Sequence, residues 1–152
     1  MDTIQYLQIA QELLAPWTVR VETPEENRVD IYLPVEKIVE ATQAMVNAGG
    51  WHLSAMTGMD IPQTETTEGE IEMLYHFCQR AAVVTLRIRV PYSMPFVASI
   101  CDVIPPATLY EREAIEMFGL TFNGTPSRER LLLPDDWPEG VFPLRKSFKG
   151  LE

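Results

Sequence analysis

The sequence predicts an α+β domain of two layers: a mixed sheet with helices on one face, and an extended Pro-rich C-terminal tail. Three observations carry this. Apolar residues recur at helical spacing near the N-terminus, near residue 40 and near residue 112, and alternate with polar ones between those stretches. The order is helix, two strands, helix, three strands, which builds one sheet and leaves helices to cover it. Beyond residue 120 helical periodicity stops while prolines accumulate among large apolar residues. The chain of 152 residues is long enough for one domain with its own core. We divide it into an α+β core (1–104), an organising helix packed on that core (105–120) and an extended, partner-docking tail (121–152).

In chain order, Ile4 to Leu14 places Ile4, Leu7, Leu13 and Leu14 on an amphipathic helix that Pro16 ends. Trp17 to Val21 and Arg28 to Leu33 alternate as strands, with the polar Thr23–Asn27 between them as the hairpin turn. Pro34 opens a second helix carrying Val35, Ile38, Val39, Thr42, Met45 and Val46, and Gly49-Gly50 stops it. Trp51 to Thr57 reads as a strand and Gly58 to Gly69 as a polar loop. Ile71–Cys78 and Ala82–Val90 are the clearest strands, joined by a tight turn near Gln79-Arg80. The short apolar stretch from Phe96 to Ile104 leads into the organising helix. There Pro105 and Pro106 suit a helix entrance. Thr108 and Glu111 have capping-box spacing, and Tyr110, Ala114, Met117 and Phe118 form an apolar stripe. Gly119 stands where a left-handed terminating residue is wanted.

Composition narrows the function classes. Hydrophobic residues make up 46% and charged residues 22%, the values of a folded globular chain. The net charge of −10 argues against nucleic acid or an anionic membrane as partner. Residues 1–80 hold 13 acidic and 4 basic side chains, residues 81–152 hold 9 and 8, so an acidic partner is repelled less by the second half. No stretch approaches the roughly 20 apolar residues of a membrane span. The N-terminus lacks the basic region of a signal peptide, which points to the cytoplasm. Cys78 and Cys101 are too few for a disulfide framework or a cluster site. His52 and His76, the two histidines, have no second ligand at metal spacing and read as structural. There is no phosphate loop, no dinucleotide fingerprint and no nucleophile elbow. We therefore expect no catalytic, cofactor-binding or metal site in this chain.

Two constellations remain. Glu113 and Glu116 lie three apart, and Arg112 reaches Glu116 at i+4. An acid–base pair would require a pocket and a raised pKa; acidic residues also favour the early turns of any helix. We favour a third reading, in which Arg128, Arg130, Arg145 and Lys146 pair with these carboxylates and brace the tail. The tail itself, with Trp137, Phe142, Arg145 and Phe148, has the composition of a protein–protein hot spot, and its prolines leave little backbone entropy to lose. Docking on a partner is favoured over packing on its own domain; the competing readings are a free-standing acid–base enzyme using Glu113 and Glu116, and a stand-alone module whose tail clamps a peptide or small ligand.

The string Tyr110-Glu111-Arg112-Glu113 through Met117-Phe118-Gly119, followed by Phe122-x-Gly124-x-Pro126, Arg130-x-Leu132, Trp137 and Pro143-Leu144-Arg145-Lys146-x-Phe148, resembles a family signature. It is similar to the thirty-kilodalton subunit of NADH–quinone oxidoreductase (respiratory complex I) and to the matching subunit of membrane-bound nickel–iron hydrogenases. The resemblance implies an accessory subunit of the peripheral arm with no cofactor of its own. Iron–sulfur clusters and the quinone or nickel–iron centre would belong to its partners. Those partners would be the large subunit, of the 49-kilodalton or hydrogenase type, and neighbouring iron–sulfur subunits. The chain would then sit peripherally on the cytoplasmic face of the cell membrane. In complex I members a histidine usually stands at Thr125 and an acidic residue at Ser147, so the resemblance leans toward the hydrogenase-type members.

Overall fold

A computed structural model describes residues 1–151. It contains three α-helices and a five-stranded mixed sheet with a second, two-stranded sheet, an α+β fold as the periodicities predict. Helix α1 (Thr3–Leu14) is opened by a capping box, Asp2 accepting from the Gln5 amide while the Gln5 side chain accepts from the Asp2 amide. Strands β1 (Arg20–Glu25) and β2 (Arg28–Tyr32) pair antiparallel. Helix α2 (Ile38–Ala48) ends at Gly49 and Gly50, both at positive φ. The long strands β3 (His52–Ile61), β4 (Glu70–Gln79) and β5 (Ala82–Pro91) follow, giving the order β1-β2-β5-β4-β3 with β2 and β5 parallel. Strands β6 (Phe96–Ala98) and β7 (Thr121–Asn123) form the parallel second sheet, and α3 (Thr108–Phe118) lies between them in sequence.

The structure corrects four expectations about the strands. The hairpin turn is Glu26-Asn27 rather than all of residues 23–27, because Glu25 still pairs with Arg28. Trp17 lies in a short 3₁₀ turn and not in the strand. Residues 58–61, read as loop, continue β3. The polar character that suggested a loop has a structural cause: Gly58 lies under the Phe118 ring, and Asp60 is buried with both oxygens engaged. The fourth is the second sheet, since three-residue strands are too short to show a period.

Two compact units are distinguished, Met1–Met56 with Met73–Ile88, and Thr57–Glu72 with the chain from Arg89 onward. In the first, α1 packs on α2 and on β2 around Leu7, Leu14, Val29, Ile31, Ile38 and Met45, all buried. In the second, α3 packs against β7, with Val97, Ile100, Ala114, Phe118, Leu120 and Phe122 buried. Residues 124–151 form no helix or strand, and bonds from Trp137 to Pro134, Arg145 to Phe142 and Phe148 to Arg145 close single turns.

Candidate functional site: a helix and the segment it holds

Helix α3 enters through a 3₁₀ turn, Pro105–Ala107, and ends at Gly119 in the left-handed conformation, φ 77°. The expected capping box does not form: the N-cap is Ala107 and no side chain caps the helix. Glu111 is instead fully buried, accepting from Ser99 Oγ at 2.7 Å, the Ile100 amide at 2.9 Å and Cys101 Sγ at 3.2 Å. A carboxylate satisfied in this way is worth more than a cap, a role that water can fill at any exposed amide. Burial, together with the neighbouring Glu111 charge, pushes the Cys101 thiol up to about 11, so it remains a protonated donor.

Glu116, one turn further on, is the second buried carboxylate of the helix. It accepts from the amides of Leu131 (2.8 Å), Leu132 (2.9 Å) and Leu133 (3.3 Å). Burial works to raise its pKa, but three backbone donors and the nearby Arg130 charge outweigh it and hold Glu116 below the ordinary carboxylate value. Arg112 does not reach Glu116. Its guanidinium donates to the carbonyls of Glu129 (2.9 Å) and Arg130 (2.8 Å). Glu113, half-exposed, takes no part in either contact. The brace expected from the sequence thus uses different chemistry. The helix holds residues 129–133 through side-chain-to-backbone bonds, not through Arg–carboxylate pairs, because this irregular stretch has amides and carbonyls without strand or helix partners.

Further along, Arg130 donates to the Trp137 carbonyl (3.3 Å) and Trp137 Nε1 to the Val141 carbonyl (2.8 Å), with the Trp137 and Phe148 rings 6.0 Å apart. Arg145 Nε donates to the Phe118 carbonyl at 2.6 Å, and the Leu144 amide to the Met117 carbonyl at 3.1 Å. The Phe142 ring lies where a Cβ on Gly119 would be, so that glycine is required twice, for its φ and for the contact. Gly124 also has positive φ, 86°, but open space around it. Pro126 is exposed and Pro143 half-buried. None of residues 124–151 is buried, and Leu131, Leu132 and Leu144 are 36%, 59% and 52% exposed.

Sequence reasoning missed two groups. Asp60 accepts from the Tyr92 hydroxyl and from the Lys146 amide. Asp30, 2% exposed, accepts from Arg28 Nε (2.7 Å) and Arg87 Nη1 (3.0 Å), while Tyr32 stacks under Arg20 and Arg87. An aspartate at a strand position between apolar neighbours is the available signal in both cases. His76, hydrogen-bonded to Thr85 Oγ1 at 3.0 Å, is lowered in pKa by burial and by Arg28, against the opposing effect of Asp30. Among the described residues there is no group of three or more His, Cys, Asp or Glu side chains arranged to hold a metal ion, and no helix long and apolar enough to cross a membrane.

Fold and site together define a small α+β protein whose C-terminal segment is fastened by a helix. Residues 31–152 match the family described as respiratory-chain NADH dehydrogenase, 30 Kd subunit, and the chain belongs to that family. It is 32% identical over 126 residues to the C subunit of the F(420)H(2) dehydrogenase of Methanosarcina mazei, covering 81% of this chain and 77% of that one. It is 44% identical over 64 residues to the membrane-bound hydrogenase subunit beta of Pyrococcus furiosus, covering 42% and 37%. A chain in the structure of the membrane-bound sulfane sulfur reductase, an archaeal respiratory membrane complex, superposes with TM-score 0.80 at 26% identity, over 97% of this chain and 87% of that one.

Proposed function

We propose that this chain is a non-catalytic accessory subunit in the peripheral arm of a complex-I-like membrane oxidoreductase, of the NADH–quinone oxidoreductase or membrane-bound hydrogenase type. Its role is to brace the large subunit that holds the quinone or nickel–iron site. One observation supports this above the others: the segment from Gly124 on is fixed by hydrogen bonds to its own helix, yet none of its described residues is fully buried. Fixing a chain costs about 1–2 kcal/mol of backbone entropy per residue. A segment held in place with Leu132 and Leu144 facing solvent gains from that order when a second protein covers it. The complementary residues are those of the family motif, with Trp137, Leu144, Arg145, Lys146 and Phe148 as contact candidates. Clusters and quinone or nickel–iron belong to the partners, and the assembly lies on the cytoplasmic membrane face.

The competing reading, a free-standing acid–base enzyme using Glu113 and Glu116, meets a specific obstacle. The Glu116 carboxylate is occupied by three amides and held ionised, which is the wrong state for a general acid. Affinity purification of the tagged chain from solubilised membranes of the source organism, with mass spectrometry and metal analysis, tests the proposal. Recovery of a large subunit with iron supports it, and nickel separates the hydrogenase type from the quinone reductase type. Recovery of the chain by itself, metal-free and from the soluble fraction, would overturn it.

A further inference from the structure

The motif Pro143-Leu144-Arg145-Lys146-x-Phe148 is held from outside the tail. Asp60, on β3 and 7% exposed, accepts from the Lys146 amide at 2.8 Å on one oxygen and from the Tyr92 hydroxyl on the other. Tyr92 is itself fixed. Its amide donates to the Gly69 carbonyl at 2.9 Å, its ring fills the space a Cβ on Gly69 would need, and Glu68 binds both the amide and the hydroxyl of the next residue, Ser93. The Arg145 guanidinium lies 4.7 Å from the Tyr92 ring centroid and 5.5 Å from that of Phe142 while donating to the Phe118 carbonyl. A buried aspartate has thus been placed on a strand to receive one backbone amide 86 residues away. Leu144 and the Lys146 side chain are left exposed to solvent.

We infer that Asp60 and Tyr92 are positioning residues that set residues 143–148 in the shape a partner protein docks on, acting through the Lys146 amide and the Arg145 guanidinium. This rests on the docking reading above. A short aspartate with both oxygens directed by fixed donors defines position to a fraction of an ångström, whereas a tail held by apolar packing would slide. Here Leu144 is exposed and Pro143 and Phe148 are only half-buried, so the hydrogen bonds from the Lys146 amide and from Arg145, more than apolar burial, set the position.

The test uses the full chain carrying Asp60→Asn or Tyr92→Phe. Asparagine keeps a single acceptor oxygen for two donors; phenylalanine keeps the ring under Arg145 and loses only the hydroxyl. In the isolated chain, amide hydrogen exchange over residues 143–149 is expected to rise about tenfold in both variants, with residues 131–133 and strands β2 and β5 unchanged. Such a local rise with an unchanged melting midpoint is not what a general loss of fold would give. Introduced into the source organism, both variants are expected in the membrane complex at about a tenth of the wild-type amount. Unchanged exchange at Lys146 in both variants would overturn the inference, as would raised exchange with full incorporation. A Leu144→Asp chain with intact Asp60 and Tyr92 separates the readings: if it too is incorporated fully, docking by this segment fails, and the positioning role with it. If Leu144→Asp is excluded while Asp60→Asn and Tyr92→Phe are not, docking stands and only the positioning role falls.

Discussion

The sheet of the first unit and the irregular chain of the second use buried carboxylates in opposite ways. In the first, Asp30 sits in a regular sheet whose backbone groups are already paired, so its oxygens turn to guanidiniums, Arg28 and Arg87. Glu72, buried on β4 although it falls in the second unit, turns likewise to Arg89. In the second, Glu111, Glu116 and Asp60 each accept from backbone amides, at Ile100, Leu131–Leu133 and Lys146. The difference teaches what a carboxylate is for where regular structure runs out. An ion pair joins two side chains and leaves the chain path to the sheet. A carboxylate on an amide fixes the path itself: Glu116 and Asp60 order a segment that has no strand or helix of its own, and Glu111 does the same for the stretch at Ile100.

The comparison breaks most sharply at Asp30. Asp30→Ala removes the buried carboxylate that two largely covered guanidiniums share and leaves Arg87 with the more exposed Glu22, so a loss of about 3–5 kcal/mol is expected in denaturant unfolding. The exchange pattern of residues 131–133 below global unfolding should not change. Glu116→Gln has the converse profile. One acceptor oxygen remains for three amides, about 2 kcal/mol of local order is lost, and exchange at Leu131–Leu133 accelerates while β2 and β5 keep their protection.

Acid sharpens the same contrast. Glu116 has a folded pKa below its unfolded value, so its stabilisation is complete above the ordinary carboxylate value of about 4.3 and is lost as pH falls through the folded value. Exchange-detected ordering of residues 131–133 should therefore decline at the acid end in the wild type, and Glu116→Gln should remove that dependence. A wild-type profile flat to about pH 2 would contradict the assignment. Gly119→Ala, which introduces a Cβ at φ 77° and against Phe142, is expected to cost about 1–2 kcal/mol and to loosen residues 142–145. The smallest effect is expected at Lys37→Ala, which removes an exposed pair with Glu40 and should change stability by less than about 0.5 kcal/mol.

Much of this was legible in the sequence. The helices from Ile4 and Pro34, the β4–β5 hairpin and the left-handed Gly119 follow from period and turn chemistry alone, and the structure has them. The family signature was legible too, as ordered elements across the last third of the chain. The partners of the charged residues were not. Helical spacing set Arg112 against Glu116, but spacing sees only the helix. Both side chains turn to backbone 15 to 18 residues later, which no periodicity encodes. Asp60 was hidden because β3 carries a glycine and polar residues that mimic a loop; they are there for the Phe118 ring and the Lys146 amide.

The central claim, that the fastened but uncovered segment is covered by another protein, is tested most directly by hydroxyl-radical footprinting of the isolated chain and of the complex purified from membranes. Leu132 and Leu144 are expected to label readily in the isolated chain and to lose most of that labelling in the complex, while Val19 and Ile9, exposed in the first unit, serve as the internal comparison. Equal labelling of Leu132 and Leu144 in the two states would contradict the account.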